Sequence, residues 1–289
     1  MDPIRKQLID KHSFPFHLVY KDRKSPQHEL PDHLHEWNEI IFVYSGRGSI
    51  FIDQTFYDLQ AGDIIIIPTN TIHRVIPEKS NLISSTAIFF SPTFIQHTSI
   101  GDPSVYLNIF GESKKTKNYK YTLSPKHLIE LETYIDQLMK EEQSQNEHKQ
   151  NALQLWLQLI LLTIHRNSQQ KNIGHRKQST HEPKWLENIL TYINRHLSED
   201  LNLQYLAKHV SVSEAHFSRV FKQRVGMNVS NYITVKRIHL AKERLINSDI
   251  KISAIAKQCG FNSMPHFYRT FKKQMGMTPS KFRKNQYYH

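Results

Sequence analysis

Apolar residues follow two different rhythms along this chain. Between positions 14 and 90 they form short runs rich in β-branched and aromatic residues, such as Glu39-Ile-Ile-Phe-Val-Tyr44, Ser49-Ile-Phe-Ile52 and Asp63-Ile-Ile-Ile-Ile67. Turn-forming clusters separate the runs: Ser45-Gly46-Arg47-Gly48, Ala61-Gly62-Asp63 and Pro68-Thr69-Asn70. Many short strands with close turns predict a small β-barrel or jelly roll. From about Pro125 the rhythm becomes helical. Leu128, Leu131, Ile135 and Leu138 recur at helical spacing, and so do Leu153, Trp156, Leu157, Ile160 and Ile164. Two helices are therefore expected on either side of a polar stretch, Glu141 to Gln150. So continuous a stripe needs a surface to cover it; a second copy of the chain is the preferred partner, and the barrel is the alternative. Asn167 to Glu182 is polar and aperiodic, which is the composition of a linker. The expected layout is α+β and multidomain: a barrel domain over 1–120, a helical dimerisation or linker segment over 121–168, a flexible linker over 169–182 and an all-α domain over 183–289.

Charge sharpens this division. Residues 183–289 contain 18 Lys and Arg against 6 Asp and Glu, whereas residues 1–182 contain 20 of each. The whole net charge of +12 thus sits in the last 107 residues. A basic module joined to a neutral one suggests a polyanionic partner for the former, nucleic acid above all. The single cysteine, Cys259, excludes an internal disulfide and a cysteine-cluster metal site, which suits a reducing compartment. The first residues are charged and lack a signal-like apolar core, and no run has the length of a membrane span. The expected location is the cytosol, with no membrane partner.

The basic region contains a repeat. His216-Phe-Ser-Arg-Val-Phe-Lys-Gln-Arg-Val-Gly-Met227 aligns with His266-Phe-Tyr-Arg-Thr-Phe-Lys-Lys-Gln-Met-Gly-Met277 at an offset of 50. Upstream the offset is 49, where Leu203, Leu206 and Ala207 match Ile252, Ile255 and Ala256. The extra residue falls near Gly260, in a turn, where an insertion is tolerated. Each copy predicts a short helix, a tight turn and a second helix. Ser213 is placed to cap the second helix of the first copy, and Asn262 or Ser263 that of the second. Gly226 and Gly276 stand where the helices should stop. Thr278-Pro279 opens a further helix, with Pro at its first position. Phe217, Val220 and Phe221 should be buried, as should Phe267, Thr270 and Phe271. The opposite stripe carries Ala215, His216, Ser218, Arg219 and Lys222, matched by Pro265, His266, Tyr268, Arg269 and Lys272. Arginine can pair with guanine, Ser and Tyr can donate to bases or phosphates, and lysine neutralises phosphate.

From about Trp185 to Arg283 the sequence closely resembles the AraC/XylS family of transcription regulators. The resemblance rests on Leu206-Ala207, Ser213, Phe217 to Lys222, Gly226, Tyr232, Arg237, Ala241 and Leu245 in the first part. It continues through Ile255-Ala256, Gly260-Phe261, Phe267 to Lys272, Gly276, Pro279 and Arg283. It implies a connecting helix over about Val229 to Ile246 and two recognition helices in successive major grooves of double-stranded DNA, roughly 34 Å apart. It further implies activation of nearby promoters, with RNA polymerase as a partner.

A second constellation lies in the strand-rich part: His33, His35, Trp37 and Glu39, which on one continuous strand would share a face. Downstream comes Gly62-Asp-Ile-Ile-Ile-Ile-Pro68-Thr-Asn-Thr-Ile-His73. These spacings resemble the two motifs of the cupin fold, in which the equivalents of His33, His35, Glu39 and His73 bind metal. Asn70 departs from the pattern, where a glycine is typical, and the expected Asn after His73 is missing. Three readings follow: a pocket for a small polar effector such as a sugar, lined by His33, His35, Trp37, Glu39 and His73; a metal site on the three imidazoles and the carboxylate; or a polar strand without ligand. No cofactor is assigned. A metal sensor, or a cupin enzyme fused to a DNA-binding module, is the alternative to a non-enzymatic regulator. Cys259 is expected in the core.

Overall fold

The computed structural model describes residues 4–5, 14–24, 33–34, 36–78, 80–96, 104–168 and 183–286. The chain divides into two compact units, Lys6–Glu182 and Pro183–His289, the latter grouped with Met1–Arg5. The expected linker over 169–182 lies outside the described residues.

After a two-residue strand β1 (Ile4–Arg5), the front unit has β2 (Phe16–Lys24), β3 (His33–Leu34), β4 (Asn38–Ser45), β5 (Gly48–Ile52), β6 (Thr55–Leu59), β7 (Ile64–Ile67), β8 (His73–Pro77) and β9 (Ile83–Phe90). Two short helices, α1 (Thr93–Gln96) and α2 (Ser104–Thr116), precede β10 (Lys120–Tyr121). The long helices α3 (Pro125–Gln143) and α4 (Lys149–Asn167) close the unit. One antiparallel sheet runs β10-β7-β4-β9-β2, and the other contains β3-β8-β5-β6 in that order. They face each other as a jelly roll. Their shared interior holds Ile41 and Val43 from β4, Ile65 and Ile67 from β7, Ile50 and Ile52 from β5, and Val75 from β8.

Alternation along the strands explains this packing. On β4, odd-numbered residues point into the interior, while Ile40 and Phe42 point outward to a second core. On β7, Ile64 and Ile66 join the outer core and Ile65 and Ile67 the inner one. Four consecutive isoleucines are what a strand buried on both faces requires. The outer core is completed by Leu131, Ile135 and Leu138 of α3 and Leu153, Leu157, Ile160 and Ile164 of α4. The helical stripe seen in the sequence is therefore buried against the sheet, not reserved for a second copy. The two helices are part of the front unit, not a bridge leading away from it. A side network pins α3 to the edge of this sheet: the Tyr20 hydroxyl donates to Asp136 at 2.7 Å, and Lys21 reaches the same carboxylate at 3.3 Å.

The second unit is all helical: α5 (Lys184–Arg195), α6 (Leu203–His209), α7 (Glu214–Val225), α8 (Val229–Asn247), α9 (Ile252–Gln258), α10 (Met264–Met275) and α11 (Pro279–Gln286). Pairs α6–α7 and α9–α10 are the two repeated motifs, and α8 joins them where the connecting helix was expected. Each motif has its own aromatic core. Phe217, Phe221 and Tyr232 pack in the first, with Trp185 of α5 stacked on Phe217 at 5.3 Å. Phe261, Phe267 and Phe271 pack in the second, with Ile238, Ala241 and Leu245 of α8. Cys259 lies in that core, where burial pushes its thiol up to about 11; at neutral pH it is an unreactive apolar side chain. No helix among the described residues is long and apolar enough to cross a membrane.

Candidate DNA interface and effector chamber

The recognition surface is built by local chemistry. Ser213 accepts a hydrogen bond from the His216 amide and caps α7, and Ser263 does the same for α10 with the His266 amide. Gly226 and Gly276 end these helices with φ of +86° and +72°, the left-handed conformation that glycine adopts without a Cβ penalty. Pro265 sits in the first turn of α10, where the missing amide costs no helical hydrogen bond.

With its ends fixed, each helix shows two faces. Phe217, Val220 and Phe221 are buried, and Ala215, His216, Arg219 and Lys222 are exposed, with Ser218 at the margin. In α10, Phe267 and Phe271 are buried and Pro265, His266, Arg269 and Lys272 exposed, with Tyr268 and Thr270 half-buried. Every member of the expected stripe on each helix is thus at least partly open to solvent. Two details escaped the sequence reading. His216 lies 6.1 Å from the Trp185 ring, and its Nδ1 is 3.3 Å from the Arg219 guanidinium. His266 likewise lies 5.7 Å from Phe261. His216 thus leans on an aromatic wall beside Arg219, a position suited to orienting that guanidinium, and His266 leans on Phe261.

In the front unit the structure brings two of the five expected chamber residues together by an unexpected route. The chain bends at Glu36 and Trp37, so residues 33–39 are not one strand. His33 belongs to β3 in one sheet, directly opposite His73 on β8, whereas Glu39 belongs to β4 in the other. The bend carries the chain across the jelly roll. Glu39 and His73 then meet inside it: His73 Nε2 is 2.9 Å from Glu39 Oε2, with side chains only 2% and 3% exposed. Trp37 packs at the margin of the same aliphatic interior. His35 and the side chain of His33 lie outside the described residues.

The His73 ring is oriented from behind. Its Nδ1 is 2.9 Å from the Thr71 carbonyl, which only accepts, so Nδ1 carries the hydrogen. Nε2 therefore faces the carboxylate either with a second proton or with a lone pair. In both cases a positive charge, a proton or a metal ion, belongs between the two groups. This arrangement, a backbone carbonyl fixing the tautomer of a histidine whose other nitrogen faces outward, also suits metal ligation. Among the described residues no three His, Cys, Asp or Glu side chains group closely enough to hold a metal.

A family profile for a helix-turn-helix domain matches residues 206–285, and one for a cupin domain matches residues 24–81. The chain is 27% identical to the HTH-type transcriptional activator RhaR of Cronobacter sakazakii over 272 residues, covering 92% of this chain and 90% of that protein. It is 23% identical to the activator of the same name from Mannheimia succiniciproducens, covering 91% and 90%. Among solved structures, the C-terminal domain of AraT, a response regulator from Geobacillus stearothermophilus, is 30% identical over 37% of this chain and 88% of that one, with a TM-score of 0.35.

Proposed function

We propose that the chain is a member of the AraC/XylS family of helix-turn-helix transcription regulators, an effector-controlled activator working in the cytosol. Its second unit binds DNA. The observation that carries the reading is the duplicated recognition helix, each copy with a buried aromatic face and an exposed Arg and Lys face on one basic module. Arg219 and Arg269 are assigned to base edges, Lys222 and Lys272 to phosphates, and Ser218 and Tyr268 to either. Activation is supported by the activators it resembles, and RNA polymerase at neighbouring promoters is the partner proposed for it.

Gel-shift titrations test this division of labour. The affinity of the chain for duplex DNA should fall steeply with salt, since each neutralised phosphate releases a counterion. Arg219→Ala should cost about 1–3 kcal/mol against the preferred sequence and relax discrimination there. Lys222→Ala should weaken all sequences alike and make the salt slope shallower by about one. Equal effects of the two substitutions on discrimination would overturn the assignment.

The effector is a small polar molecule, a sugar being the class best suited to the chamber. A carboxylate and an imidazole set in an aliphatic interior, with an indole at the margin, supply hydrogen bonds and a ring to stack on. No catalytic step is assigned to the chamber. The same pair favours one second reading, in which Glu39 and His73, with His33 and His35, hold a metal ion that would supply Lewis acidity or a structural charge. Elemental analysis of the purified chain separates the two, because stoichiometric metal lost in His73→Ala would favour the second.

The chain is further proposed to act as a homodimer. With the inner stripe of α3 and α4 spent on the sheet, the outer side of α4 still exposes Leu155 (61%) and Leu159 (39%), and α3 exposes Ile129 (70%). Sedimentation of a Leu155→Glu, Leu159→Glu variant should give half the mass of the parent chain. An unchanged mass would rule out α4 as the dimer face.

A further inference from the structure

We propose that Arg237 and Gly260 form a joint that sets the register between the two helix-turn-helix motifs, and so determines which spacing of DNA half-sites the chain accepts. Arg237 lies on α8 between the residues serving the first core and those serving the second. Tyr232 packs on Phe221, whereas Ile238, Ala241 and Leu245 pack with Phe267 and Phe271. Its half-buried guanidinium reaches back to the loop between α5 and α6. Nε donates to the Leu197 carbonyl at 2.8 Å and Nη2 to the Glu199 carbonyl at 2.6 Å. The second motif meets the same spot from the other side. Gly260, in the turn between α9 and α10, has φ of +84°, and a Cβ there would stand 2.3 Å from the Leu197 carbonyl oxygen and 2.7 Å from Arg237 Nε. One carbonyl of the loop leading into the first motif, the turn of the second and the arginine of the joining helix thus converge within contact distance.

A planar fork with two donors can hold two carbonyls at once, which a lysine ammonium on a flexible stem does poorly. Burial lowers the pKa of Arg237, an effect only partly opposed by nearby Asp200. The leverage of the joint is large. If the recognition helices stand roughly 34 Å apart on the duplex, a tilt of about 10° between motifs moves the far helix by about 6 Å, nearly two base-pair steps. The inference rests on α7 and α10 being the base-reading helices, but it concerns their relative placement, not their contacts. Arg237 touches neither recognition stripe; it is a positioning residue.

The test is selection from a random-sequence duplex library with the full chain, followed by titration of the winning duplex and of duplexes keeping only one block. The parent chain should enrich two sequence blocks at a single separation. Arg237→Met should enrich the same blocks at separations spread over two or more base pairs. Its affinity for the parental duplex should fall tenfold or more, while single-block affinity stays within about threefold. Gly260→Ala, and Arg237→Lys should the Met variant not fold, should show the same split more mildly. A variant that keeps the single separation, or loses single-block and double-block affinity alike, overturns the joint. A parent chain that enriches no block at all would instead overturn the assignment of α7 and α10.

Discussion

Glu39→Leu is expected to destabilise the front unit by about 3–5 kcal/mol, because it strands a buried imidazole without its carboxylate. For a unit of this size each kcal/mol moves the midpoint by about 2–4 °C, so thermal unfolding should shift down by about 6–20 °C. The double variant Glu39→Leu, His73→Phe should recover most of that loss. Apolar side chains of similar volume replace both polar groups at once, which removes the desolvation cost with the attraction. Both variants should lose any stabilisation by an added effector. Differential scanning measurements on the three proteins decide the matter. A single variant as stable as the parent would mean that the pair is open to water and that the chamber is not the closed site described above.

Phe267→Ala is the counterpart in the DNA-binding unit. The ring is fully buried and touches Phe261, Tyr268 and Phe271. Its removal leaves a cavity that costs about 3–5 kcal/mol. In a unit of about 100 residues that corresponds to a midpoint lowered by at least about 12 °C. DNA affinity should fall with it, because α10 loses the anchor that aims Arg269. Lys272→Ala, one turn on and exposed, should leave the midpoint within about 2 °C while still weakening binding. A Phe267→Ala protein that melts like its parent would show that the repeated aromatic face is not the core.

The helix-turn-helix pair was largely legible in the sequence because its determinants are local. Caps such as Ser213 and Ser263, stops such as Gly226 and Gly276, and the three-and-four spacing of Phe217, Val220 and Phe221 act within a few residues of themselves. Thr270 is the exception, half-buried where its counterpart Val220 is buried. In the front unit the geometry was not legible. Period-two alternation tells which face a residue takes within a strand, but not where a chain leaves one sheet for the other. His33 and Glu39 were expected on one face of one strand; they stand on different sheets, His33 in register with His73 on β8, and it is His73 that meets Glu39. The stripe on α3 and α4 was visible as a surface needing cover, but periodicity does not name the cover. Arg237 carried no signal of its own beyond the family pattern: an arginine on a basic helix reads as solvated until its carbonyl partners are seen.

Strand β7 gives the front unit a thin partition. Its isoleucines alternate between the chamber side and the side on which α3 and α4 rest, with no second layer between. Whatever presses on Ile65 or Ile67 from within is felt through a single thickness of backbone by Ile64 and Ile66, and by the helices seated on them. The jelly-roll interior and the outer helices share this wall, so strain set up on one side has a direct mechanical route to the exposed leucines on the other.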